Sequence, residues 1–227
     1  MQKVIFVIGA NAAGKTYFIE HHLASEKAVV LNIYDYQQKV YDEHGNKELI
    51  TFEEQFRCLK KANEKHLHDI INELKLGNDV IAEQTFFKAK RRIAYIDEIR
   101  KEMDAKIEVY VMHTSNERWI ENSKKREDIE NIEVYENQKK QMEFPNPAEG
   151  FDAIFEVVDD EIILRMDDIK PEIVKQARRE LTEEDTRIRR EDEREHKHRQ
   201  LIESMNTRPF WYYCEVCGKR DFITAKA

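Results

Sequence analysis

Eight residues near the start of the chain, Gly9-Ala10-Asn11-Ala12-Ala13-Gly14-Lys15-Thr16, form a pattern with a definite chemical use. They satisfy G-x-x-x-x-G-K-[ST] at every fixed position. In such a loop the backbone N–H groups and the N-terminus of the following helix surround a polyphosphate. Gly9 and Gly14 let the chain turn and approach closely, Lys15 reaches the β- and γ-phosphates, and the Thr16 hydroxyl ligates Mg²⁺. All eight residues are candidate nucleotide contacts. Passing the γ-phosphoryl group to an alcohol needs a carboxylate to take the proton and cations to offset the charge on the moving group. Asp35 is the candidate base, and Glu83 the candidate for holding the water shell of Mg²⁺. Residues 117–126 supply cations: Arg126 first, with Arg118 and Lys125 in reserve. That run reads either as a lid over the triphosphate or as an ordinary charged helix face. A guanine-reading N-K-x-D motif does not occur, so ATP is the expected nucleotide.

These residues need a scaffold, and the hydrophobic pattern predicts one. Val4-Ile5-Phe6-Val7-Ile8 reads as a buried strand before the loop, and residues 17–24 as a helix after it. Further strands are expected at 28–31, 80–82, 107–112 and 153–158. Helices are expected at 51–76, 88–103, 116–127 and 134–142. The first of these opens with a Thr51/Glu54 capping box and stops at Gly77. Residues 43–47, with Gly45-Asn46, read as a turn. Strands alternating with helices imply a mostly parallel sheet in a three-layer α/β fold with right-handed crossovers. Ligands of such sheets lie at the carboxyl ends of the strands, where the loop, Asp35 and Glu83 all fall. Asp35 is expected to follow the strand that borders the loop's own strand.

The chain has 227 residues, 37% of them charged, and a net charge of −8. That charge argues against non-specific coating of duplex nucleic acid but leaves room for a local basic channel. Residues 1–160 account for the whole −8, and residues 161–227 balance to zero. The predicted division is 1–165, a nucleotide-binding domain; 166–206, a charged helical extension; and 207–227, an aromatic tail. Residues 171–206 read as a long solvated helix or as a dimerising one. In the tail, Cys214 and Cys217 form a C-x-x-C that supplies two of the four ligands of a Zn²⁺ site, or else two unligated thiols. No run of 18 apolar residues is present, and no signal peptide is expected before the first strand. A reducing cytoplasm is the expected compartment, with no membrane partner.

Four blocks make the first 160 residues resemble the P-loop kinase domain of polynucleotide 5′-hydroxyl kinases. The loop itself is one. Leu31-Asn32-Ile33-Tyr34-Asp35-Tyr36 is similar to that family's N-R-D segment. Val80-Ile81-Ala82-Glu83-Gln84-Thr85, followed by Arg91-Arg92, is similar to its V-x-I-D-N-T segment and arginine-bearing helix. The fourth runs from residues 122–127 to Phe144-Pro145-Asn146-Pro147-Ala148-Glu149-Gly150-Phe151-Asp152, similar to its lid and F-x-x-P-x-x-x-E-G-F segment. The resemblance implies that Lys15 and Thr16 handle phosphate and metal, that Asp35 activates the acceptor hydroxyl, and that Arg126 is the lid arginine. Tyr34 departs from the pattern at the Arg of N-R-D. A wider zeta-toxin-like group shares this core and phosphorylates nucleotide sugars or other small molecules. The acceptor is thus expected to be a nucleic-acid 5′ end or a small-molecule hydroxyl; a slowly hydrolysing regulatory module is the other class of reading. A polynucleotide would be gripped by Lys88, Lys90, Arg91 and Arg92 with Phe86 and Phe87 stacking, unless those aromatics pack in the core.

Overall fold

The computed structural model describes residues 1–23, 28–44, 51–125, 132–203, 210–213 and 220–223. Two compact units emerge, Met1–Val174 and Lys175–Ala227. In the first, six strands form one sheet: β1 (Lys3–Ile8), β2 (Ala28–Asn32), β3 (Asp79–Gln84), β4 (Lys106–His113), β5 (Ala153–Val158) and β6 (Glu161–Met166). Their order is β2-β3-β1-β4-β5-β6. The first five are parallel and β6 is antiparallel to β5. The helices are α1 (Lys15–Phe18), continued by a π-type turn Ile19–Leu23, then α2 (Ile33–His44), α3 (Phe52–Lys75), α4 (Ala89–Glu102), α5 (Asn116–Lys124) and α6 (Ile132–Gln141).

Alternation along β1 divides the core. Val4, Phe6 and Ile8 pack with Ile70 and Leu74 of α3 and with Ile96 and Ile99 of α4. Ile5 and Val7 pack on the other face with Phe18, Trp119 of α5 and Tyr135 of α6. Side chains of a strand point alternately to opposite faces, so one apolar strand anchors both helix layers. This is the expected three-layer α/β fold with a mostly parallel sheet. The Thr51/Glu54 capping box is present, and Gly77 follows α3 with a φ of 92°.

Three features differ from the sequence reading. β3, not β2, borders β1. Val80, Ile81 and Ala82 are buried on both faces and take the inner position, whereas β2 exposes Val30 and takes the edge. Residues 33–44 are a helix, with Ile33, Tyr36 and Val40 buried at helical spacing against α3. β6 adds an antiparallel edge after a turn whose Asp159 and Asp160 both have positive φ.

In the second unit, α7 (Pro171–Glu203, begun in the first) is one long helix, and β7 (Phe210–Tyr213) pairs antiparallel with β8 (Arg220–Ile223). Cys214, Cys217 and the expected turn at Gly45-Asn46 lie outside the described residues. Among the described residues no helix is long and apolar enough to cross a membrane.

Candidate functional site

The loop between β1 and α1 departs from ordinary backbone at three points. Gly9 has a φ of 153°, Ala12 of 58° and Gly14 of 84°. Gly9 also lies so close to β4 that a Cβ there would stand 2.9 Å from the Met112 Cβ. A side chain would separate the loop from the strand behind it. Alternation of left- and right-handed residues makes a concave row of N–H groups that suits an anion. Lys15 is buried and donates to the carbonyls of Gly9 (3.2 Å) and Ala10 (2.8 Å), which lays its ammonium along the loop.

Thr16 opens the helix and faces the end of β3. Its hydroxyl donates to Glu83 Oε1 at 2.9 Å, while Asn32 Nδ2 at the end of β2 donates to Oε2 at 3.0 Å. Asn32 and Glu83 are register partners, so the parallel pairing of β2 with β3 creates this contact. Burial pushes the Glu83 carboxyl up from the ordinary glutamate range. The nearby Lys15 charge and the Thr16 hydrogen bond pull it down, and the charges of Asp35 and Glu20 add to the rise. Two oxygen donors in this setting fit a hard cation such as Mg²⁺, which keeps waters and takes its remaining ligands from phosphate. Among the described residues no group of three or more His, Cys, Asp or Glu is gathered for a metal.

A cavity of about 870 Å³ opens over the loop. Its lining includes residues Asn11 to Tyr17, Asn32, Tyr34, Glu83, Arg118, Asn122 and Lys125, with Asp159 and Asp160 from the β5–β6 turn. Residues Asn11 to Thr16 of the motif, Glu83, Arg118 and Lys125 therefore line one space. Arg118 is committed within it to an ion pair with Asp160. Arg126 lies outside the described residues.

Asp35 stands in the first turn of α2, exposed. It is not among the residues that line the cavity, although its charge is felt at Glu83. The strand it follows is the sheet edge, one strand further from the loop than expected. Tyr34 does line the cavity, and its hydroxyl donates to Asn11 Oδ1 across the loop.

The anticipated acceptor grip changes most. Arg92 is not placed at the surface, where a polynucleotide could meet it. It is buried, bidentate on Glu149 at 2.6 and 2.8 Å, and donates further to the carbonyls of Phe86 (2.6 Å) and Glu143 (2.7 Å). Phe86 is buried edge-on against Phe6 and Tyr95. Lys88 pairs with Glu143. The distinctive segment at 144–152 thereby acquires a structural meaning: Asn146 and Glu149 cap a short 3₁₀ turn, Glu149 receives Arg92, and Phe151 enters the core.

Sequence reasoning passed over the side chains that brace the loop from outside: Thr114, Trp119, Asn122 and Gln138. Trp119 and Asn122 are three residues apart on α5, a spacing that places both on one helix face.

The family described as AAA domain matches residues 4–145, well over half of the chain. The chain belongs to this family. Its fold is that of a kinase-like P-loop NTPase. Among solved structures it is similar to a kinase candidate from Chloroflexus aurantiacus, at 16% identity and a TM-score of 0.54, covering 69% of this chain and 88% of that one. It is also similar to a chain of the Pnkp1/Rnl/Hen1 RNA repair complex, at 17% identity and a TM-score of 0.47, covering 73% of this chain and 49% of that one. A third is a gluconokinase from Sinorhizobium meliloti, at 16% identity and a TM-score of 0.43, covering 77% and 89%. No curated protein matches the chain.

Proposed function

We propose that this protein is an ATP- and Mg²⁺-dependent phosphotransferase whose acceptor is a hydroxyl group. The observation that carries the reading is the contact of Thr16 with Glu83 at the mouth of the loop, which joins a phosphate cradle to a carboxylate in one cavity. Thr16 and Glu83 would hold the cation, which when bound offsets charge on the phosphates. Lys15 would leave the carbonyls of Gly9 and Ala10 for the β- and γ-oxygens. Arg118 and Lys125, with Arg126, would face the outer phosphates. The acceptor oxygen attacks the γ-phosphorus while its proton passes to a carboxylate; the sequence resemblance names Asp35, which stands in the first turn of α2 outside the cavity lining. The bond from the γ-phosphorus to the β–γ bridging oxygen breaks, and ADP leaves with that oxygen.

A polynucleotide 5′-hydroxyl is the acceptor favoured by the sequence resemblance. A second reading, a small-molecule or nucleotide-sugar hydroxyl, is favoured by the burial of Arg92 and Phe86, which removes two anticipated polyanion contacts. Incubation with γ-labelled ATP and a panel of 5′-hydroxyl RNA, 5′-hydroxyl DNA and nucleotide sugars tests both. Label on one class identifies the acceptor. Release of inorganic phosphate with no acceptor labelled counts against the kinase reading.

A further inference from the structure

The backbone of the phosphate loop is braced from outside by side chains on α5 and on the segment that joins β4 to it. Three successive loop carbonyls each accept one side-chain hydrogen bond. Asn11 O receives the Trp119 indole N–H at 2.8 Å, Ala12 O receives the Asn122 amide at 3.1 Å, and Ala13 O receives the Thr114 hydroxyl at 2.8 Å. The donors are themselves fixed. Trp119 and Thr114 are buried, the Trp119 ring stacks on Tyr135 at 4.7 Å, and the Tyr135 hydroxyl donates to the Thr114 carbonyl at 2.6 Å.

The geometry of the peptide unit gives this a consequence. Every peptide bond here is trans, and in a trans unit the C=O of one residue and the N–H of the next point in opposite directions. Drawing the carbonyls of Asn11, Ala12 and Ala13 toward the brace turns the N–H groups of Ala12, Ala13 and Gly14 the other way. The Ala13 N–H has a turn contact with Ala10 O at 3.3 Å, and the positive φ of Ala12 and Gly14 completes the concave row. We propose that Thr114, Trp119 and Asn122 are positioning residues that hold the loop's peptide planes in the phosphate-binding orientation before any nucleotide arrives. A carbonyl released from the brace could rotate inward and present a negative oxygen to the phosphates. Trp119 and Asn122 of α5 are therefore part of the cradle's wall. This inference rests on the proposed triphosphate site and adds the residues that shape it.

The test uses the full chain and two probes, ATP and inorganic tripolyphosphate, each with Mg²⁺. Thr114→Val keeps the shape and removes the hydroxyl, Thr114→Ser keeps the hydroxyl, and Asn122→Ala removes the amide. Each lost hydrogen bond is expected to weaken tripolyphosphate and ATP binding by about 5- to 10-fold. Thr114→Ser is expected to restore the wild-type value. Calorimetry reads the affinities, and amide chemical shifts of Ala12 to Gly14 without ligand report the peptide planes. Wild-type affinity for tripolyphosphate in folded Thr114→Val and Asn122→Ala, with unmoved amide shifts, overturns the brace and leaves the triphosphate site standing. A wild-type chain that binds neither probe overturns both.

Discussion

Arg92 offers the sharpest test of where cation chemistry sits in this molecule. Its side chain and that of Glu149 are each 1% exposed. The guanidinium makes two bonds to the carboxylate and two to backbone carbonyls, at 2.6 to 2.8 Å. Removing one partner of such a pair leaves the other charge buried and unpaired, at a cost of about 3–5 kcal/mol. In a domain whose total stability is about 5–15 kcal/mol, that is a large fraction. Arg92→Met should therefore lower the urea midpoint sharply at constant m-value, and lower Tm by about 10 °C at roughly 2–4 °C per kcal/mol. Arg92→Met combined with Glu149→Gln removes the stranded charge and should be more stable than Arg92→Met alone by about 1–2 kcal/mol. Urea unfolding followed by circular dichroism measures all three proteins. A cost below about 1 kcal/mol for Arg92→Met, with loss of oligonucleotide binding, would refute the structural role and return Arg92 to the acceptor site.

Other expectations concern the site. Lys15→Ala should abolish ATP binding in a calorimetric titration, because no other described loop side chain brings an ammonium to the phosphates. Asp35→Asn should leave ATP affinity within about 2-fold while stopping transfer to the labelled acceptor, since a base acts in the chemical step; persistent transfer would remove Asp35 from that role. Gly9→Ala should cost about 2–3 kcal/mol of stability and weaken nucleotide binding, given the Met112 Cβ 2.9 Å from the added methyl group. The buried His66 has its pKa lowered by burial from 6.5 to about 4. Its Nε2 faces the Leu31 carbonyl and its Nδ1 faces the Gln84 amide, so a second ring proton would meet a donor. The unfolded chain takes up that proton first. His66 therefore contributes its full stabilisation above pH 6.5 and loses it as pH falls toward 4, by about 3 kcal/mol. The same slope should be absent in His66→Gln when unfolding is followed across that range.

The donor half of the site was legible because it is local. Eight contiguous residues and one strand before them define the phosphate loop, and backbone sterics do the rest. Residues 33–44 hid their helix because it starts directly after the strand: Asn32 ends β2 and also caps α2, its Oδ1 accepting from the Tyr34 N–H at 3.0 Å. The position of β2 at the edge depends on which strand is buried on both faces, and that is decided by packing. Arg92 illustrates the limit best. In the sequence it sits in a basic cluster, and only the return of residues 143–149 beside α4 turns it into a buried anchor. The brace on the loop has the same character: Thr114, Trp119 and Asn122 lie about one hundred residues from the carbonyls they hold.

Helices α2 and α3 bury a cluster of their own, Ile33, Tyr36, Val40 and Tyr41 against Cys58 and Ala62. The Tyr36 hydroxyl fastens the two helices through Asp69 at 2.9 Å. This hairpin, with Tyr34 and Asp35 at its root, behaves as a cartridge plugged into the sheet margin through β2. Substitutions on its outward face would therefore leave the loop, Thr16 and Glu83 where they are.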